Sequence, residues 1–189
     1  MKLKIIWMKT IRKLVIIMIK NKRIMAKEIG SYLIWAAGGV LVSFLLFRVV
    51  FGLACIYGSS MEPNYHNGNI VVFNRLDHTY QQGDVIVLRS GLLDGHNHKK
   101  HLIKRVIAVG GDTVSIVDGI VYVNGNPLEE DYINQDDFNM PERTVGDNDL
   151  FVLGDNRPNS NDSRYEAIGD IHMSDVDGVV LGDKYTKKG

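Results

Sequence analysis

The chain carries a single cysteine, Cys55, so no disulfide can form within it and its stability must come from a core. One thiol does not fix the compartment. No internal repeat and no low-complexity linker interrupts the 189 residues, and with 45% apolar residues this is neither a disordered chain nor a coiled coil. It also lacks net charge, but only on average. Residues 1–30 hold nine Lys or Arg against one acid, Glu28, leaving 13 bases against 21 acids in residues 31–189. An acidic body argues against nucleic acid as its partner. A basic arm fits the anionic inner face of a membrane.

Metal-binding spacing is missing too. The run GHNHKKH holds His96, His98 and His101 beside Lys99 and Lys100, which disfavour a bound cation, and it matches no common zinc frame. A solvated loop is the expectation there. His66 and His172 read as isolated surface residues, and His78 has no clear role.

One long uncharged stretch is present. Gly30–Phe47 (GSYLIWAAGGVLVSFLLF) is 18 residues without a charge, closed by Arg48. That suffices for a transmembrane helix, with Tyr32 and Trp35 near its N-terminal end where an interfacial belt would lie. The basic excess ahead of it places the N-terminus inside and the body outside. The expected organisation is therefore an arm over 1–29, a membrane helix over 30–48 and a body over 49–189. A buried core helix is the rival reading, but so small a domain would bury so long a helix with difficulty. A cleaved signal sequence is another, though its apolar region is normally shorter. Gly52-Leu53-Ala54-Cys55 is one residue out of register for a lipoprotein cleavage site. Residues 1–24 read either as a basic amphipathic helix on the inner leaflet or as sequence upstream of a true start at Met25.

Beyond Ser60 the pattern becomes extended. Asn69–Asn74, Asp84–Arg89, Leu102–Val109, Thr113–Val117, Ile120–Val123 and Leu150–Leu153 are short β-branched runs, and Val176–Leu181 adds a last one. Asn67-Gly68, Gly110-Gly111, Asp118-Gly119 and Asn124-Gly125 separate them as turns, and Asp118-Gly119 signals a two-residue hairpin. Residues 90–101 and 129–149 read as loops. The expected fold is mainly β: a folded sheet or barrel behind one membrane helix.

Ser60 follows Gly58-Ser59 and precedes Met61-Glu62-Pro63, a bend that could aim a backbone amide at a developing oxyanion. Standing alone, this is more often a plain turn. A serine needs a base to take its proton. Lys104 is the candidate, because alternation puts it on one strand face with Leu102 and Val106, where desolvation favours the neutral amine. An arbitrary strand lysine more often snorkels to water. The polar stretch Leu153–Gly169 reads as a large ordered loop. In it Asp162 and Arg164 can pair and Ser160 offers a hydroxyl, as a shell that positions an amine. A serine at a membrane surface with a strand lysine suggests a hydrolase acting on something also held in the membrane.

Taken together, these residues resemble type I signal peptidases, the membrane-bound serine/lysine leader peptidase family. Over about Ser31–Gly182, four boxes occur in the family's order: Ser60-Met61-Glu62-Pro63; Gly83-Asp84-Val85-Ile86-Val87; Lys104-Arg105 with Gly110-Gly111-Asp112; and Gly154-Asp155-Asn156-Arg157 with Asn159-Ser160 and Asp162-Ser163-Arg164. The resemblance implies Ser60 as nucleophile, its amide in the oxyanion hole, and Lys104 as general base and then acid. It further implies that Ser160 orients Lys104, that Asp162 and Arg164 brace the site, and that Ile56 and Ile103 line pockets for small side chains. Substrates would be exported preproteins bound extended along the strands and cut after Ala-X-Ala, with no metal or organic cofactor. The short body looks like the compact enzymes of Gram-positive bacteria. Gly58 stands where many relatives carry a hydroxyl, Asn64 replaces the usual Thr, Pro158 a common Asp and Tyr57 a common Pro. Two rivals remain. A self-cleaving repressor-type protease would carry a helix-turn-helix where the apolar segment stands. An inactive tethered β-domain would bind exported chains without cutting them.

Overall fold

The computed structural model describes residues 2–93 and 99–182. The chain divides into two units, one ending at Arg48 and one beginning at Val49.

The first unit is helical. Helix α1 runs Lys2–Val50, so the basic arm and the apolar segment form one continuous helix. Within it Glu28–Val50, 23 residues, is long and apolar enough to cross a membrane, spanning about 35 Å. Its apolar side chains, Trp35 and Phe44 among them, are exposed, as a core helix would not leave them.

The second unit holds two antiparallel sheets. β1 (Phe51–Cys55), β2 (Ile70–Asn74), β3 (Val85–Leu93), β4 (Lys99–Val109), β9 (Asp149–Leu153), β10 (Ile171–His172) and β11 (Val176–Val180) form a seven-stranded sheet in the order β1-β2-β11-β3-β4-β9-β10. β5 (Thr113–Val117), β6 (Ile120–Val123), β7 (Asn126–Pro127) and β8 (Met140–Thr144) form a four-stranded one in the order β7-β6-β5-β8. The large sheet ends at β1 and β10, which do not pair, so it is open and the barrel alternative is corrected. At the β5–β6 turn Asp118 and Gly119 both have positive φ (48° and 76°), as a two-residue type I′ hairpin requires.

β3 shows why the central strands read as uninterrupted apolar runs. Val85 and Val87 enter a core with Ile56, Met61, Val71 and Phe73, while Ile86 and Leu88 enter a second core with Val106, Leu150 and Val152 on the opposite face. A third core joins the sheets: Ile107, Phe151 and Leu153 pack with Val114, Ile116 and Val121. Side chains on the middle of β4, flanked by β3 and β9, are thus forced into the interior.

Two loop readings are corrected. β3 and β4 extend through 90–93 and 99–101, with 94–98, and His96 and His98 in it, outside the described residues. Residues 129–149 contain β8, a mostly exposed strand of sequence MPERT that, among the described residues, pairs with β5 at the edge of its sheet. An edge needs no apolar alternation and tolerates Pro141. β1, FGLAC, continues the apolar run and pairs with β2 as part of the body.

Candidate active site

Ser60 sits in the turn after β1. The turn closes through Glu62 N–H donating to Ser59 O (3.1 Å) and Tyr65 N–H donating to Met61 O (2.9 Å), and the buried Met61 roots it in the core. The Gly154–Arg157 segment holds it from the other side. Asn156 donates from its backbone N–H to Ser60 O and from its side chain to Ser59 O, each at 3.0 Å. Gly154 has to be glycine, because a Cβ there would lie 2.5 Å from Ser60 O and 2.2 Å from Ser160 Oγ. Gly58, at φ 93°, takes a conformation that favours glycine, so the backbone itself excludes a side-chain donor at that position.

Lys104 Nζ lies 2.8 Å from Ser60 Oγ and donates to Ile103 O at 2.9 Å. The residue is 2% exposed. Burial above all, helped by nearby Arg164, lowers its pKa to about 8 against the opposing pull of Asp162 and Asp155. As an ammonium Nζ donates to the serine. As a neutral amine it accepts the serine's proton.

Next on the strand, Arg105 is equally buried and pairs bidentately with Asp155: Nε to Oδ1 at 2.8 Å and Nη2 to Oδ2 at 2.7 Å. It also donates to Gly83 O at 3.0 Å and stacks 4.5 Å over the Tyr132 ring. Asn64 Nδ2 donates to Asp155 Oδ2 and to Tyr132 O, both at 2.8 Å, so this departure from the family pattern joins the serine turn to the Arg105–Asp155 pair.

Asp162 accepts from Gly154 N–H at 3.0 Å and from Arg164 Nε at 2.8 Å. Arg164 continues to Asp136 and to Arg157 O, both at 2.6 Å, and Arg157 pairs with Glu130. Ser160 differs from its expected contact. Its Oγ is buried and makes no hydrogen bond among the described residues, while Lys104 Nζ bonds to Ser60 and Ile103 instead. Pro158, in the short 3-10 helix Arg157–Asn159, and Tyr57 are both exposed.

A small cleft of about 80 Å³ opens beside the pair, with Ile56, Val71, Val87 and Ile103 among its lining together with Ser60 and Lys104. Cys55 and His101 line it as well. His101 therefore belongs to a strand and a cleft rather than to the solvated loop expected from its neighbours. Among the described residues no group of His, Cys, Asp and Glu is arranged to hold a metal ion.

Sequence reasoning missed Tyr132, Glu130 and Asp136, which reach the site from the stretch read as a loop. Nothing in their polar surroundings singles them out. Asp155 and Asn156 were visible only as letters of a box, and the arginine on an apolar strand was a signal that a buried partner had to exist.

The family model described as "Signal peptidase, peptidase S26" matches residues 29–182. The chain belongs to this family. "Signal peptidase I S" of Bacillus subtilis is 31% identical over 163 residues, covering 77% of this chain and 84% of that protein. "Signal peptidase I T" of the same organism is 30% identical, covering 73% and 78%. "Probable signal peptidase I-1" of Synechocystis sp. is 42% identical over 115 residues, and the match spans 59% of that relative's length. A crystal structure of a signal peptidase I from Enterococcus faecalis V583 is 30% identical and covers 53% of this chain and 96% of that one, at a TM-score of 0.42.

Proposed function

We propose that this signal peptidase family member is a membrane-anchored serine endopeptidase that removes N-terminal signal peptides from exported preproteins, with Ser60 as nucleophile and Lys104 as general base. The observation that carries the reading is the 2.8 Å approach of Lys104 Nζ to Ser60 Oγ, both at the rim of an apolar cleft.

The chemistry follows from that geometry. With a pKa of about 8, roughly one Lys104 in ten is neutral at pH 7, some 300-fold more than at the ordinary 10.5. The neutral amine takes the Ser60 proton as Oγ attacks the scissile carbonyl. The Ser60 amide stabilises the oxyanion, unaided by a side chain at Gly58. Lys104 then returns the proton to the leaving amine, freeing the mature protein's N-terminus and leaving the signal peptide as an ester on Ser60. A water that gives its proton to Lys104 hydrolyses the ester, and Lys104 passes that proton to Ser60 Oγ as it leaves. Asp155, Asn156 and Asn64 keep the serine turn in place, and Asp162 and Arg164 brace the segment behind it.

The cleft is small, which supports substrates of Ala-X-Ala type whose small side chains rest against Ile56 and Ile103. Glu28–Val50 supports a single membrane anchor, and the basic residues ahead of it support an inside N-terminus with the body on the outer face of the cytoplasmic membrane. Membrane lipid and signal peptides are the partners this arrangement calls for.

Purified full-length protein in detergent is expected to cut an Ala-X-Ala preprotein after the second alanine, and Ser60→Ala to leave it intact, read by mass of both fragments. Equal cleavage by Ser60→Ala would remove the nucleophile assignment. No cleavage of several preproteins by folded wild type would favour the inactive binding domain.

A further inference from the structure

Next to the small apolar cleft lies a polar group that the proposed mechanism leaves unused. On the β3–β4 ladder Val87 pairs with Ile103 and, two residues along, Arg89 pairs with His101. Alternation places both pairs on one face of the sheet. Val87 and Ile103 belong to the cleft lining, and His101 continues that lining outward from the nucleophile. Asp177, on β11 where the register with β3 shifts, reaches both members of the outer pair. Its Oδ2 lies 2.8 Å from His101 Nδ1 and its Oδ1 3.3 Å from Arg89 Nε. Arg89 also donates to Ser174 O at 2.6 Å, which fixes the guanidinium and through it the carboxylate.

This arrangement orients the imidazole. A carboxylate only accepts, so Nδ1 carries the proton. In the neutral ring Nε2 is then the acceptor, and among the described residues it has no partner, the side chain being 63% exposed. Arg89 and Asp177 offset one another in charge. What His101 presents to the cleft is an oriented hydrogen-bonding atom.

We propose that His101 forms an outer subsite that recognises an amide or hydroxyl side chain of the signal peptide, upstream of the small residues; this rests on the peptidase reading above. In an extended peptide, side chains on one face recur every two residues, about 7 Å apart. The Val87–Ile103 and Arg89–His101 pairs are spaced by the same two-residue step. The side chain that meets His101 is therefore the next one upstream on the face whose small residue rests over Ile103. An apolar side chain there would strip water from Nε2 without replacing its hydrogen bond.

The test compares preproteins that differ only in Gln or Leu at the fifth residue before the cut, with the same exchange at the fourth and sixth, on the opposite face, as controls. Full-length wild type, His101→Leu and Asp177→Ala are assayed in detergent, and the readout is the ratio of kcat/KM for the Gln and Leu forms. Wild type is expected to favour Gln about fivefold at the fifth position and to show no such preference at the fourth or sixth. His101→Leu is expected to bring that ratio to about one, and Asp177→Ala, which keeps the imidazole but releases it, to lower it. A wild-type ratio near one at the fifth position overturns the subsite, as does a ratio unchanged in both variants. A wild type that cuts neither form overturns the peptidase reading itself, and the subsite with it.

Discussion

Lys104→Met is expected to abolish cleavage and to make the fold more stable at pH 7. The loss follows from removing the only base within reach of Ser60 Oγ among the described residues, and is expected on the order of 10⁴-fold in kcat/KM. The gain follows from linkage. Burial holds the folded pKa at about 8, below the ordinary 10.5, so folding releases a proton between those values and wild-type stability rises with pH across that window. Below it, burying the ammonium costs about 3 kcal/mol. Methionine has nearly the same length and no charge to desolvate. The two hydrogen bonds it forfeits, to Ser60 and Ile103, offset about 1–2 kcal/mol. Thermal unfolding at pH 7 should therefore shift upward by roughly 3–6 °C, and the variant's advantage should shrink as pH approaches 10.5. A variant that is inactive and also less stable at pH 7 would mean that Lys104 contributes to the fold as a paired ammonium. A loss of activity with a gain in stability is the mark of a residue held at a cost for chemistry.

The second large effect is on stability. Asp155→Ala leaves the Arg105 guanidinium, 2% exposed, without its carboxylate, and it removes an acceptor from Asn64. Stranding one half of a buried pair costs roughly 3–5 kcal/mol. Arg105→Met together with Asp155→Ala is expected to cost less than Asp155→Ala alone, since both charges of the pair are removed. The two can be compared by denaturant titration and read as a double-mutant cycle. If the double variant is the weaker, the stack of Arg105 on Tyr132 and its bond to Gly83 O outweigh the charge imbalance.

Much of this was legible in the sequence where local rules dominate. Thr113–Val117 and Ile120–Val123 form strands at the expected bounds because Asp118-Gly119 fixes their hairpin. Ile70–Asn74 and Val176–Val180 fall within a residue of expectation, since β-branched runs bounded by turns have few alternatives. β8 was not legible, because an edge strand such as MPERT carries no alternation. Nor was openness of the large sheet, since which strands close on which is set by packing between distant segments. At the site, Ser60 and Lys104 stood out because a serine in a tight turn and a lysine on an apolar strand are each locally unusual. Asn64 and His101 did not stand out. The one is defined by partners 68 and 91 residues away, Tyr132 and Asp155, and the other by Asp177, 76 residues away. Such pairings arise only once the sheets are assembled.

The measurement that bears most directly on the account is the pH dependence of kcat/KM for an Ala-X-Ala preprotein, using full-length wild type in detergent. A buried lysine acting as general base gives activity that rises with pH, is half-maximal near pH 8 and levels off above it. A rate that is flat from pH 6 to pH 10, or that falls as pH rises through 8, would contradict Lys104 as the base that activates Ser60.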